Sequence, residues 1–133
     1  MNTVGVGGFS KINRQTGAFI WHIGGAYNRF SFTNVDSAEA VDWFDGHAAT
    51  RLKNGNFLFY DNNDRRTEDP TKILEWSLDE ENLTATLIWQ YVSDPPNLAW
   101  HRGNAQRLPD GNTFIGWGDD DEETGPALSL IHI

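Results

Sequence analysis

Residues 47–62 read HAATRLKNGNFLFYDN, and residues 103–118 read GNAQRLPDGNTFIGWG. Both run Arg-Leu, a short polar gap, Gly-Asn and then an apolar stretch, and their arginines, Arg51 and Arg107, stand 56 residues apart. Asn54-Gly55 in the first copy and Asp110-Gly111 in the second are turn signals, because glycine accepts the positive φ that a tight hairpin requires. Each copy therefore predicts a β-hairpin. The copies differ at their first residue, His47 against Gly103. What repeats is what the fold needs, so the difference is the first place to look for function.

A second echo surrounds the first. Residues 12–23, INRQTGAFIWHI, and 78–91, LDEENLTATLIWQY, each read as strand, polar turn and strand, the second strand carrying Ile-Trp. Thr84, Thr86, Ile88 and Gln90 alternate with Ala85, Leu87, Trp89 and Tyr91, which predicts one more apolar face along the whole strand. Helical periodicity is almost absent; the one possible short helix is DSAEAVDWF, 36–44, inside a polar segment over 28–45.

The two hairpin types alternate, and a repeated four-stranded unit of roughly 50 residues marks propeller blades. The expected fold is all-β, a fragment of a β-propeller with four-stranded antiparallel blades: a half-blade over 9–25, a blade over 47–91 and a half-blade over 103–118. An open sandwich is the alternative. Blades bury their faces against neighbours, so about two blades alone are expected to be poorly soluble. Tryptophans 21, 76, 89 and 117 fall on predicted strands and are expected to pack between blades.

The net charge of −9 argues against a nucleic-acid partner and against an anionic membrane surface, both of which call for a basic face. A small anion, needing only one or two placed cations, remains compatible. No cysteine is present, which removes thiolate chemistry and Cys-based zinc sites. No apolar run approaches the ~20 residues that span a bilayer. The start, MNTVGVGGFS, has neither the basic end nor the apolar core of a signal peptide. The last six residues, LSLIHI, share nothing with the acidic GDDDEETGPA before them. Codons CTG TCT CTT ATA CAC ATC encode them and resemble a transposon end used in sequencing libraries. The expectation is a native domain ending near Ala127, followed by a non-native tail over 128–133; a genuine apolar last strand is the alternative.

His47 stands just before the predicted inner strand of a blade, where a neutral imidazole can serve as nucleophile or general base. The alternative is a turn histidine at a strand end. Arg65 and Arg66 follow the same hairpin, so the chain returns them to the end where His47 lies, with Asp61 and Asn62 at the strand end. A guanidinium fork suits a tetrahedral oxyanion; a surface pair with Asp64 or Glu68 is the alternative. The spacing of His22, His47 and His101 matches no local zinc motif, so no metal is expected. DNNDR (61–65) and DDDEETG (119–125) fall short of a calcium loop and read as solvated loops.

KINRQTGAFIWHIGG, FDGHAATRLKNGNFLFYDNNDRR, LEWSLDEENLTATLIWQY and GNAQRLPDGNTFIGWG, in this order, resemble successive blocks of the arylsulfotransferase family, over about residues 9–118. The resemblance implies a six-bladed propeller in an exported or periplasmic enzyme. It implies sulfuryl transfer from an aryl sulfate to a phenol, through a sulfo-histidine and without a nucleotide donor or other cofactor. Its catalytic histidine maps to His47 and its arginine to Arg65, with Asn62, His101 and Asn104 expected to contact substrate. His22 looks structural. Gly46-His47-Ala48 departs from the more usual Gln-His-Asp, and Asn63 stands where glycine is usual. A further histidine block expected before Phe9 is absent, so the chain alone is expected to be inactive. The other function open at this point is a non-catalytic extracellular propeller that binds a ligand or a protein.

Overall fold

The computed structural model describes residues 7–35, 46–62, 69–99 and 101–118, together with the backbone of 128–131. Arg65, Arg66, the possible helix over 36–44 and the acidic stretch over 119–125 lie outside the described residues. The fold is all-β. Ten strands are described: β1 (Phe9–Ile12), β2 (Phe19–Ile23), β3 (Ser31–Thr33), β4 (Gly46–Arg51), β5 (Phe57–Asp61), β6 (Lys72–Asp79), β7 (Thr84–Tyr91), β8 (Asn104–Arg107), β9 (Thr113–Gly116) and β10 (Leu128–Ile131). They pair as β1-β2, as a central sheet β3-β7-β6-β5-β4, and as β10-β9-β8.

The central sheet is packed on both faces, which is why β5 reads as a continuous apolar run rather than an alternating one. On one face Phe57, Phe59, Leu74 and Trp76 meet Trp21 and Ile23 of β2. On the other, Leu58, Tyr60 and Ile73 meet Ala105, Ile115 and Trp117 of the β8–β9 hairpin. Trp21, Trp76 and Trp117 are all buried in these interfaces, as their strand positions predict. Burying one such aromatic is worth about 2–3 kcal/mol, so these layers hold most of the core.

The repeat is visible hydrogen bond by hydrogen bond. In the β4–β5 turn, Leu52 N donates to Asn56 O at 2.8 Å and Gly55 N to Leu52 O at 3.0 Å. The β8–β9 turn repeats both, Leu108 N to Asn112 O at 2.7 Å and Gly111 N to Leu108 O at 3.0 Å. Asn54 Oδ1 accepts from Asn56 N in the first and Asp110 Oδ1 from Asn112 N in the second, each at 3.0 Å. The other hairpin type also repeats: Asn13 Oδ1 accepts from the N–H groups of Gln15 and Thr16, as Asp79 Oδ1 does from Glu81 and Asn82. Side-chain acceptors of this kind are what make Asn and Asp turn formers.

The Ile-Trp echo has a physical meaning that alternation alone misses. Lys11 pairs with Trp21 and Ile12 with Phe19, so Ile20 is an extra residue in β2. Glu75 pairs with Trp89 and Trp76 with Leu87, so Ile88 is an extra residue in β7. Each is a β-bulge, and each extra isoleucine is exposed, Ile20 at 45% and Ile88 at 52%. A one-residue slip reverses the faces that follow. Trp21 and Ile23 thereby turn toward the central sheet, while Trp89 and Tyr91 pack with the cluster under β8–β9. The single apolar face expected along 85–91 is therefore split: Ala85 and Leu87 face one neighbour, Trp89 and Tyr91 the other.

One strand was not expected, and another answers only to an alternative reading. β3, within the segment read as polar, pairs in parallel with β7, Phe32 opposite Ala85, and covers the outer edge of the central sheet. Thr33 and Thr86 join their hydroxyls across this pair at 2.8 Å. β10, within the six residues expected to be a non-native tail, pairs antiparallel with β9.

Candidate functional site

β4 is an edge strand of the central sheet, exposed along its length except at its start, where Gly46 is buried and His47 half-buried. Gly46 is required by close approach: a Cβ there would stand 2.9 Å from the Phe9 ring. His47 pairs with Tyr60 on β5, and Thr50 with Leu58, so Ala48 and Ala49 together face Phe59. This is a third β-bulge, and its first residue, Ala48, adopts φ 52°, a conformation that glycine accepts freely and alanine does not. Such a residue costs about 1–2 kcal/mol, so the surrounding pairing over-determines it.

The second copy has no bulge here. Asn104 pairs with Gly116 and Ala105 with Ile115, one for one down to Arg107 and Thr113. Tyr60 and Gly116 are equivalent in the repeat, so the structural counterpart of His47 is Asn104, not Gly103. The one-residue offset from the sequence alignment is the bulge itself. Gly103 has a different task. It lies at φ 98°, and a Cβ on it would stand 2.2 Å from the Tyr60 ring.

Tyr60 is the floor under this end of the molecule. Its hydroxyl accepts a hydrogen bond from Gly118 N at 3.1 Å. Burial pushes its phenol up to about 12, with the Gly118 hydrogen bond opposing the shift. Beside it, Asn62 is 3% exposed, and its Nδ2 donates to Ala99 O at 2.5 Å and to Arg102 O at 2.9 Å. Thr71 binds the same segment: its N–H donates to Asn97 O at 2.8 Å, and its hydroxyl accepts from Ala99 N at 2.9 Å. Asn97, Ala99 and Arg102 are thus fastened to the ends of β5 and β6, which sets the exposed His101 at their rim.

Four of the five residues singled out by sequence, His47, Asn62, His101 and Asn104, accordingly lie at one end of the two repeated hairpins, opposite the Gly-Asn turns. Arg65 lies outside the described residues, three positions beyond Asn62. Asn62 is an anchor for the 99–102 segment, with both amide protons engaged, whereas His101 and Asn104 are exposed. His22 is on β2, its Nδ1 at 2.7 Å from Ser10 Oγ and its ring against Phe19, as befits a structural residue. Tyr60, Gly103 and Ala48 escape sequence reasoning. A glycine ahead of a strand was a signal for Gly103; an ordinary alanine gave none for Ala48.

At the opposite end, Glu75 is 7% exposed and accepts from Asn54 Nδ2 at 3.1 Å, Asn56 Nδ2 at 2.7 Å and Arg107 Nη2 at 2.8 Å. Arg107 also lies over the Trp89 ring, 4.6 Å from its centroid. The shared Arg and Asn positions of the two copies thus meet on one carboxylate and clasp adjacent sheets together. The polar groups of the turn ends are thus spent on joining sheets, whereas His101 and Asn104 at the strand-entry ends are exposed.

A β-hairpin that repeats with its turn chemistry, in face-packed sheets, and that carries a histidine at one strand entry, defines a class: an all-β protein built on a repeated hairpin. The arylsulfotransferase (ASST) family matches residues 9–129, and the chain belongs to that family. No individually curated protein matches the chain.

Proposed function

We propose that the chain forms part of a β-propeller enzyme that transfers a sulfuryl group from an aryl sulfate to a phenolic acceptor. The observation that carries this reading is the family match across residues 9–129. In its first step an imidazole nitrogen attacks sulfur, an N–S bond forms, the S–O(aryl) bond breaks and phenolate leaves. In the second, the acceptor phenol oxygen attacks sulfur, the N–S bond breaks, and the acceptor's proton is taken up by a neighbouring base. His47 is the nucleophile or the group that protonates the leaving oxygen. Arg65 binds the equatorial oxygens, whose interaction with the guanidinium strengthens as charge builds in the transition state. Asn104 and His101 line the approach, and Asn62 holds the segment that bears His101. Half-burial of His47 above the Tyr60 floor favours this role, since a partly desolvated imidazole faces less competition from water.

The test, made on the whole protein to which this chain belongs because the chain alone is expected to be inactive, is release of 4-nitrophenol from 4-nitrophenyl sulfate, with and without phenol as acceptor. The expected outcome is acceptor-dependent release, reduced about 100-fold or more in Arg65→Ala, the cost of losing a charged transition-state contact. Binding of the aryl sulfate without turnover would instead support a ligand-binding propeller.

A further inference from the structure

We propose that the β-bulge at Ala48–Ala49 is an aiming device for His47, with Ala48 as its positioning residue. The inference deepens the functional reading above and rests on it for the role of His47. It follows from comparing the two inner hairpins station by station.

From the turn outward, the two ladders start identically. Arg51 pairs with Phe57 and Thr50 with Leu58, as Arg107 pairs with Thr113 and Gln106 with Phe114. Continued regularly, the first ladder would set Ala49 opposite Phe59, Ala48 opposite Tyr60 and His47 opposite Asp61. The second does continue regularly and reaches Asn104 opposite Gly116. The first does not: His47 arrives opposite Tyr60 and Gly46 opposite Asp61. Because side chains alternate along a strand, advancing by one residue moves the imidazole to the other face. The bulge thus brings His47 to the station that Asn104 holds in the next hairpin, on the floor formed by the buried Tyr60.

Ala48 is what permits this. Its φ of 52° is the left-handed conformation on which a bulge of this type depends. Alanine tolerates it reluctantly, asparagine and glycine more readily, and β-branched residues hardly at all. The other two bulges, at Ile20 and Ile88, reverse faces so that tryptophans meet the next sheet. The bulge at Ala48 applies the same operation to a histidine at a strand entry.

The test compares Ala48→Gly, Ala48→Val and deletion of Ala48 with the parent chain. One readout is the cross-strand nuclear Overhauser contact of His47, and the other is its carbethoxylation by diethyl pyrocarbonate, followed by peptide mass spectrometry with His22 and His101 as internal references. Ala48→Gly is expected to keep the His47–Tyr60 contact and the parent reactivity. Ala48→Val is expected to lose that contact, to gain one between Ala48's replacement and Tyr60, and to change the reactivity of His47 alone. Retention of the His47–Tyr60 contact in Ala48→Val overturns the proposal. Should that variant fail to fold, the deletion decides. Removing the extra residue straightens the strand with His47 still opposite Tyr60, and a contact moved to Asp61 overturns the proposal equally. Aryl sulfate turnover is measured in parallel, and a misaimed imidazole is expected to lower it about 100-fold, with recovery in Ala48→Gly. That turnover is read in the whole protein to which the chain belongs; its absence there removes the catalytic reading of His47 and leaves the contact and reactivity results to judge the aiming role separately.

Discussion

The two inner hairpins agree at one end and part at the other. Their turns superpose hydrogen bond for hydrogen bond, down to the side-chain acceptor that precedes each glycine. Their entries share a glycine pressed on an aromatic ring, Gly46 on Phe9 and Gly103 on Tyr60, and then differ: β4 continues with a half-buried histidine and a bulge, β8 with an exposed asparagine and a regular ladder. The turn end answers a demand that each repeat makes of the backbone, so it is copied. The entry end answers to the neighbouring sheet, so each copy is individual.

Substitutions that exchange the character of the two ends are the sharpest way to break this contrast. The largest effect on stability is expected at Gly103. Gly103→Ala places a methyl within the Tyr60 ring and holds alanine at φ 98°, and together these should cost about 3 kcal/mol in chemical denaturation. Gly55→Ala meets open space and should cost distinctly less, although its φ of 94° is similar. Equal losses at both positions would mean that backbone strain, not packing on Tyr60, makes the entry particular.

Next comes the clasp at the turn end. Glu75→Leu leaves Asn54, Asn56 and Arg107 without their common acceptor and should cost about 2 kcal/mol, since the pair is largely but not wholly buried. At the entry end, Asn62→Ala removes two hydrogen bonds to the 99–102 segment. It should cost about 1–2 kcal/mol and speed amide exchange in residues 97–102 more than elsewhere. The contrast between ends predicts that Glu75→Leu leaves aryl sulfate turnover nearly intact, while Asn62→Ala lowers it.

The smallest effect is electrostatic. Lys11 Nζ, and then Trp21 Nε1, hold the Glu80 carboxyl below its usual value of 4.5. A folded-state value below the unfolded one means that this contribution is complete above about pH 4.5 and is lost as pH falls through the lower folded value. Both partners are partly exposed, so less than about 1 kcal/mol is at stake. Stability of Glu80→Gln measured against pH should lack that portion of the acid loss.

Much of this was legible in the sequence because it was written twice. Asn54-Gly55 and Asp110-Gly111 located the inner turns, and the echo of Asn13 and Asp79 located the outer ones. The strand β3 was missed although Phe30 and Phe32 alternate with Ser31 and Thr33, because short parallel edge strands carry no hairpin turn to announce them. The bulges were illegible for a deeper reason. Ile20, Ile88 and Ala48 are ordinary strand residues, and only the register of the partner strand reveals that each is one too many. That is why sequence alignment set His47 against Gly103, whereas the ladder sets it against Asn104. Asn62 was legible as a residue of the site end but not as its anchor, since its partners lie 37 and 40 residues away.

The central claim is that function resides where the copies differ, at His47. The most direct measurement is aryl sulfate turnover by the whole protein carrying His47→Ala, read beside its thermal unfolding. The account predicts a loss of about 1,000-fold or more in turnover, as befits a nucleophile or acid, with unfolding little changed because the imidazole is only half-buried. Undiminished turnover in a folded His47→Ala protein would contradict it.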